Sequence, residues 1–509
     1  MKFLELLGDE IRSGTVLGPN PDITGVEYDS RRVRPGNLFV AMRGETTDGN
    51  RYIDAAVANG AVAVISDSAD AAPREGIAWA RVSHGRRALA EASARFYHFP
   101  GEQLRLTGIT GTNGKTTTAF LLDSILRAAG RRTLLVGTIE YRVGDEVFAA
   151  PHTTPEALDL CRLMRKAIAA GAGEGVMEVS SHALAQGRVY GLPYAVAVFT
   201  NLTRDHLDYH RDLEDYFAAK RILFSGCGAA PPETAVVNTD DAYGARLAAF
   251  SHGQGSKVVG YGLYSGEFRA VEMQLGGQGT RFELETPAGS ERVESPLLGQ
   301  VNVYNVLAAA AAAFARGCTL PQIVAGVRAL QRVPGRFERV DCGQPFTVVV
   351  DYAHTDDALR NLMVVARDFI GRGADAGRVI TVFGCGGDRD RKKRPLMGLA
   401  AGSGSDLVIL TSDNPRSEDP MDIINEAEPG LEQAGARYKI EPDRRLAIAL
   451  ALGEARPGDI VIIADKGHER VQVLRSGRVP FSDVEVAAEE LAALGFGAPP
   501  ASSVQRSRA

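Results

Sequence analysis

Gly108-Ile109-Thr110-Gly111-Thr112-Asn113-Gly114-Lys115-Thr116-Thr117-Thr118 sits between an apolar run at residues 104–110 and a helical pattern over about residues 115–129. The run reads as a strand and the glycines as a tight loop. In such a loop the backbone amides point inward and cradle phosphate oxygens, aided by the helix N-terminus. Lys115 is placed to reach the β- and γ-phosphates, and the Thr116 hydroxyl to ligand Mg²⁺. A strict P-loop has a glycine five positions before Gly114; Ile109 stands there, with glycines at 108 and 111 instead. A chance glycine turn is the competing reading, and the strand–loop–helix context argues against it. The loop by itself leaves ATPase, GTPase, kinase and ligase open.

Outward from the loop, apolar runs of strand length recur at residues 133–139, 176–180, 195–202 and 235–238. Alternation of strands with helices predicts a mostly parallel sheet covered on both faces. Residues 267–297 alternate polar and apolar and predict hairpins before a helix at 302–316. Upstream, runs at 26–30, 37–42 and 61–66 and a helix at 86–97 predict a small α/β unit ending near Pro100-Gly101. Downstream, apolar strands at 346–350, 379–383, 407–410 and 460–464 each run into a polar loop. Ligands of open α/β sheets bind outside the carboxyl ends of the strands, so these loops converge on a site. The expected fold class is α/β in three domains. A small N-terminal α/β domain covers 1–100, a central P-loop parallel-sheet domain 101–335 and a C-terminal Rossmann-like α/β domain 336–509.

Composition narrows the class. A chain of 509 residues exceeds one core, at about 150 residues per domain. Hydrophobic residues at 45% and charged residues at 24% exclude a disordered chain, a fibre and a small disulfide scaffold. Fifty-six glycines are consistent with many tight loops. The net charge is −6 and basic residues cluster only at 389–394, which excludes a general nucleic-acid surface. The longest apolar run, 306–315, is mostly alanine and falls short of the roughly 18 residues of a membrane span. The N-terminal residues meet charge too early for a secretory signal. Cys161, Cys227, Cys318, Cys342 and Cys385 are odd in number and scattered, as reduced thiols would be. A cytoplasmic protein is expected.

Four segments carry a specific resemblance. Thr110-Gly111-Thr112-Asn113-Gly114-Lys115-Thr116, Glu178-Val179-Ser180-Ser181-His182, Asn201-Leu202-Thr203-Arg204-Asp205-His206-Leu207-Asp208 and Val350-Asp351-Tyr352-Ala353-His354 resemble motifs of the Mur ligases. These are ATP-dependent amino-acid-adding enzymes of peptidoglycan synthesis. The resemblance runs in order from residue 29 to residue 469, nearly the whole chain. It implies ATP as co-substrate, Mg²⁺ as cofactor, an acyl-phosphate intermediate, and a UDP-N-acetylmuramoyl dipeptide plus an amino acid as substrates. It also implies a role in cell-wall biogenesis, and so in cell shape, division and the cell cycle. A monomer is the expected state.

Residue by residue, ATP is expected at Gly111, Thr112, Asn113, Gly114, Lys115, Thr116 and Thr117, with Asn302, Asn305, Arg336 and Asp351. An asparagine that merely caps a helix is the alternative for one of the two asparagines. A carboxylate, a histidine and a threonine hydroxyl make reasonable magnesium ligands. A loop histidine such as His206 is more often structural; the resemblance assigns it, with Glu178 and Thr116, to metal. Lys220 reads as a solvated helix lysine. The resemblance implies instead that it is carbamylated, which turns an ammonium into a carboxylate able to join the metal. Lys115, Glu178, His206 and Lys220 are thus the expected catalytic set.

Asp413-Asn414-Pro415-Arg416 offers a guanidinium that can grip a carboxylate bidentately, a polar pair for an ammonium and a fixed turn. By resemblance it marks the members that add meso-diaminopimelate, whose far end carries a carboxylate and an amine. Arg389 adds a second guanidinium, and Glu469 a carboxylate. Asp465 stands where the family usually has a glycine whose backbone meets the amino acid. For the UDP-sugar, Tyr28, Ser30, Glu45, Thr46 and Thr47 resemble the uridine turn. His152, Thr153 and Thr154, with Ser180, Gln186 and Arg188, resemble the sugar and peptide loop; asparagine is the family's commoner residue at 152.

Alternatives differ at identifiable residues. A lysine-adding relative lacks the arginine at 416, and a folylpolyglutamate synthase-like ligase lacks the whole of 413–416 and the uridine turn. A GTPase switch needs a guanine-reading N-K-x-D motif, which the sequence does not have. A non-catalytic scaffold would not need Lys115, Glu178, His206 and Lys220 together.

Overall fold

The structure is a computed structural model that describes residues 1–9, 15–44, 47–277, 279–371 and 376–497. Three large sheets, each with its own helices, follow one another along the chain, and a two-stranded hairpin, Val471–Leu474 with Gly477–Pro480, lies near its C-terminal end. The first has five strands in the order Thr15–Leu17, Ala78–Arg81, Ala61–Ser66, Asn37–Ala41 and Gly25–Glu27. The apolar run at 61–66 is buried on both faces, which explains why it reads as continuous rather than alternating.

The second sheet has eleven strands. Its centre is parallel, in the order Thr133–Val136, Glu174–Glu178, Arg105–Thr110, Tyr194–Phe199, Thr234–Asn238 and Lys257–Gly262. One edge carries the antiparallel hairpin Glu140–Val143 and Glu146–Ala149; the other carries Phe268–Gly276, Gly279–Thr286 and Gly289–Ser295. Phe268–Gly276 joins the core in parallel, and antiparallel pairing extends the sheet beyond it. The alanine run is the middle of the helix Gln300–Ala315, with the six alanines 308–313 fully buried. Small side chains let helices approach closely here. On the neighbouring helix Leu320–Ala329, a Cβ added to Gly326 would lie 2.3 Å from the Cα of Ile125.

The third sheet has six strands in the order Glu338–Arg339, Thr347–Val350, Ile460–Ile463, Val379–Phe383, Leu407–Leu410 and Tyr438–Ile440. All but the first are parallel, and the four apolar strands end side by side. Two expected strands stop early for reasons found in the site. Thr133–Val136 ends before Gly137, where a Cβ would stand 2.4 Å from an oxygen of Glu178. Tyr194–Phe199 ends where Thr200 and Asn201 turn to hold the glycine loop. Among the described residues no helix is long and apolar enough to cross a membrane.

Candidate active site

The glycine loop leaves Arg105–Thr110 and enters the helix Lys115–Ala128 at the crevice between two neighbouring strand ends. Gly111 and Gly114 have φ of 149° and 86°, and a Cβ on Gly111 would sit 1.9 Å from Thr200 Oγ1. Both need glycine for that reason. Thr200 Oγ1 donates to the Asn113 carbonyl (2.6 Å), and the Asn113 amide donates to Asn201 Oδ1 (2.9 Å). Lys115 Nζ donates to the carbonyls of Gly111 (3.0 Å) and Thr112 (2.8 Å). Burial, partly offset by Glu178, pulls its pKa below the usual lysine range.

Glu178 ends its strand and is fully buried. Its oxygens accept from Thr116 Oγ1 (2.9 Å), Thr138 Oγ1 (3.0 Å) and the Thr138 amide (2.8 Å), and no salt bridge among the described residues neutralises it. Lys220, on the helix Leu213–Arg221, is 1% exposed rather than solvated. Its Nζ donates to the Gly111 carbonyl (2.8 Å) and lies 4.2 Å from the Tyr216 ring centroid. Burial and then the Lys115 charge hold its pKa well below the lysine norm, which favours the neutral amine. His206 takes a left-handed backbone (φ 55°) and lies 3.3 Å from Asp205. The enclosing walls push its pKa down to about 3, against the attraction of Asp205. Thr116, Glu178, His206 and Lys220 all line one cavity of about 480 Å³.

The C-terminal domain closes that cavity. Arg336 donates to Thr116 Oγ1 (3.2 Å) and lies over the Tyr352 ring at 4.7 Å. Asp351 is raised by burial, offset by Arg336, and accepts the Phe337 amide (2.6 Å). Asn302 and Asn305 line the cavity's other wall and bond to each other (2.9 Å). Gly299 caps their helix, so neither asparagine does. Asp357, which the sequence reading missed, accepts from Asn113 across the domains at 2.9 Å. Its only sequence signal is its place just after the 350–354 motif.

A second group runs from Glu178 toward the N-terminal domain. Thr153 pairs with Thr138 (3.1 Å), and Thr154 Oγ1 donates to the Glu178 carbonyl (2.9 Å) and accepts the Ser180 amide (3.1 Å). Arg188 donates to the Thr154 carbonyl (3.0 Å) and to Gln186 (2.8 Å). His152 offers its carbonyl to Tyr141, and burial lowers its ring pKa. Tyr28 donates to Asp159 of the helix Ala157–Ala169 (2.6 Å), tying the first domain to the second. Ser30 is buried in a short turn beside it; Thr47 lies further along, and Glu45 and Thr46 fall outside the described residues.

The third group lies at the strand ends of the C-terminal sheet. Arg416 Nη1 donates to the Gly387 carbonyl (2.6 Å), and a Cβ on Gly387 would stand 1.9 Å from the Pro415 carbonyl. Arg416 is lowered by burial and then by the Arg389 charge, and a Cβ on Gly386 would lie 3.0 Å from Arg416 Nη1 and 3.6 Å from Arg389 Cγ, so two arginines flank one spot that a carboxylate could occupy. Asn414 donates to Glu469 (2.8 Å), and Lys466, unassigned from sequence, donates to Asn414 (3.1 Å) and Glu469 (2.8 Å). Asp413, Asn414, Arg416, Arg389 and Glu469 are therefore brought together with Asp465. Within the basic cluster at 389–394, Arg394 pairs with Glu418 and Glu426, Arg391 with Glu426, and Lys393 donates to the His354 carbonyl.

Comparison with known proteins places each region. The Mur ligase family catalytic domain matches residues 22–97, the Mur ligase middle domain 109–313 and the Mur ligase glutamate ligase domain 335–467. The chain is 54% identical over 477 residues to a UDP-N-acetylmuramoyl-L-alanyl-D-glutamate–2,6-diaminopimelate ligase of Solibacter usitatus, covering 93% of this chain and 94% of that one. It is 47% identical to the protein of the same name in Geobacter metallireducens, over 94% and 96% of the two chains. A solved structure of a ligase with that name is 35% identical, with a TM-score of 0.65 and coverage of 93% and 96%.

Proposed function

This chain belongs to the Mur ligase family, and on that premise we infer that it joins 2,6-diaminopimelate to UDP-N-acetylmuramoyl-L-alanyl-D-glutamate in peptidoglycan synthesis. It is an ATP-dependent ligase. The observation that carries the amino-acid assignment is Arg416 and Arg389 flanking Gly386 beside the Asp413, Asn414 and Glu469 cluster. Guanidiniums suit a distal carboxylate and the acidic side an ammonium; L-lysine would leave the guanidiniums unpaired. We take the meso form as substrate.

The glycine loop holds the triphosphate, with Lys115 at its β- and γ-phosphates and Asn302, Asn305 and Asp351 at the nucleoside end. A D-glutamate carboxylate oxygen attacks the γ-phosphorus and ADP leaves, forming an acyl phosphate. The diaminopimelate amine attacks the acyl carbon, phosphate leaves and the nitrogen loses its proton. Positioning and charge neutralisation do the work, so no protein nucleophile is needed. Arg336 adds its guanidinium from the closed C-terminal domain. Magnesium fits the donor set, because Glu178 is a buried carboxylate that no salt bridge among the described residues offsets. Thr116, Glu178, His206 and a carbamylated Lys220 would hold it, and it would supply charge neutralisation at the phosphates. Neutral Lys220 is the form that adds CO₂. Tyr28, Ser30, Glu45, Thr46 and Thr47 would hold the uridine. His152, Thr153, Thr154, Ser180, Gln186 and Arg188 would hold the sugar and peptide. A cytoplasmic monomer suits both nucleotide substrates.

Phosphate release with ATP, the UDP-dipeptide and a panel of amino acids tests the assignment. Turnover should require diaminopimelate; equal turnover with L-lysine would overturn it.

A further inference from the structure

Asp465 is an anomaly at the amino-acid end of the site. It follows Ile460–Ile463 with φ of 88°, the left-handed region that favours glycine, and it is 3% exposed. Its Oδ2 accepts the Gly384 amide (2.5 Å), pinning the end of the neighbouring strand. Its Oδ1 is buried and has no hydrogen-bond partner among the described residues, and the same is true of Asp413 Oδ1. Asp413 Oδ1 has Lys466 Nζ at 3.8 Å, beyond hydrogen-bond reach, so two buried carboxylate oxygens lack a hydrogen bond, which is costly, and a carboxylate offers no donor to satisfy the other. Arg444 and then Lys393 draw the charge of Asp465, but among the described residues neither makes a hydrogen bond or ion pair with it. Arg444, from the helix Arg444–Glu454, is engaged elsewhere: its fork bonds Asp483 (2.7 and 2.8 Å), and it also donates to the carbonyls of Ala464 (2.6 Å) and Ser412 (3.4 Å). Lys393 donates to the His354 carbonyl (3.0 Å), and Lys466 to Asn414, Glu469 and the Val471 carbonyl. Cys385, packed nearby, is a thiol raised by burial and by Asp465.

We propose that Asp465 is a neutral carboxylic acid whose Oδ1 hydroxyl donates to Asp413 Oδ1, so that one proton clasps two strand ends and Asp413 turns only Oδ2 to the ammonium group of the amino-acid substrate. The proton satisfies both orphaned oxygens at once. Burial and then repulsion from Asp413 hold the Asp465 pKa well above the carboxylate range, in keeping with this assignment. Asp413 Oδ2 faces the open side. A Cβ on Gly386 would lie 3.6 Å from it and 3.0 Å from Arg416 Nη1, so anion-binding and cation-binding atoms flank one small cradle. Arg444 is a positioning residue that holds the backbone before both aspartates. Naming the ligand's ammonium rests on the function inferred above; the proton assignment does not.

The test uses the whole enzyme with Asp465→Asn and Asp465→Gly. Asparagine replaces the acid with a donor of like shape, and glycine suits the backbone, so one fold-competent variant is expected. Infrared difference spectra of wild type should contain the C=O band of a protonated carboxylic acid, absent in both variants. One extra proton bound by the native state makes wild-type stability fall with rising pH relative to Asp465→Asn. The folding equilibrium ratio should change about tenfold per pH unit above the ordinary carboxylate pKa, until the native acid ionises. The diaminopimelate KM of wild type should rise on that alkaline limb, and the variants should lack the rise. A wild-type spectrum without the band, or a pH-independent ratio, overturns the proposal. If the band is present but amino-acid selectivity is absent, the inferred function fails while the shared proton stands.

Discussion

Replacing Arg416 with alanine should separate amino-acid recognition from ATP chemistry. Arg416 already adopts φ of 55°, and alanine bears the same Cβ, so the backbone strain does not change. What is lost is a guanidinium that burial and Arg389 have pulled below its usual pKa, together with its 2.6 Å bond to the Gly387 carbonyl. Truncating one partner of a buried, hydrogen-bonded charge pair costs about 2–5 kcal/mol, much of it from the charge left behind. At about 1.4 kcal/mol per decade this is about 30- to 4,000-fold. Arg389 remains to meet the same carboxylate, which places the expected loss in diaminopimelate kcat/KM near the middle, roughly 300- to 1,000-fold. The KM for ATP should stay within about twofold, because Arg416 is not among the residues lining the nucleotide cavity. Arg416→Lys keeps the charge but not the planar fork and should fall between the two. The assay is coupled phosphate release at saturating UDP-dipeptide, with diaminopimelate and L-lysine as varied substrates. Wild type should discriminate against L-lysine by about a thousandfold. An unchanged diaminopimelate kcat/KM in Arg416→Ala, or a wild type that uses both amino acids equally, would refute the reading of residues 413–416.

Other outcomes follow from the same geometry. Lys115→Ala should abolish turnover while circular dichroism and ATP-free thermal melting remain near wild type; activity within a few-fold of wild type at saturating ATP would remove Lys115 from the phosphates. Lys220→Ala should be nearly inactive and partly restored by short carboxylates such as formate, with a ¹³C-carbamate signal seen only in wild type supplied with labelled bicarbonate; full activity of the variant in bicarbonate-free buffer would dismiss the modification. His468 has its pKa pushed down to about 3 by burial and by Arg336. The unfolded chain therefore binds the extra proton below its ordinary pKa of about 6.5, and stability is lost as pH falls from there toward the folded value. His468→Gln should lose less stability than wild type between about pH 7 and about pH 4 in urea titrations, and parallel losses would argue that His468 is not held neutral.

The glycine loop, the strand–helix alternation and the order of motifs were legible in the sequence because each depends on local geometry. Glycines at 111 and 114, with a strand before and a helix after, suit the positive φ of the loop backbone itself. The family resemblance likewise rests on short contiguous runs. Burial and pairing are not local, and there the sequence misleads. Lys220 reads as a surface lysine because a lysine on an amphipathic helix is normally solvated, yet the fold seats it on the Gly111 carbonyl 109 positions away in sequence. The short strands Ala78–Arg81, Lys257–Gly262 and Tyr438–Ile440 escape notice because each is stabilised by the sheet it joins rather than by its own pattern. Lys466 and Arg444 carry no motif that sets them apart from solvated cations. Asp465 could be seen to stand in a glycine's place, but only the tertiary structure sets its carboxyl on the Gly384 amide at the end of the neighbouring strand. Whether a charge is paired, neutral or shared depends on which distant strand ends meet, and chain topology rather than local composition decides that.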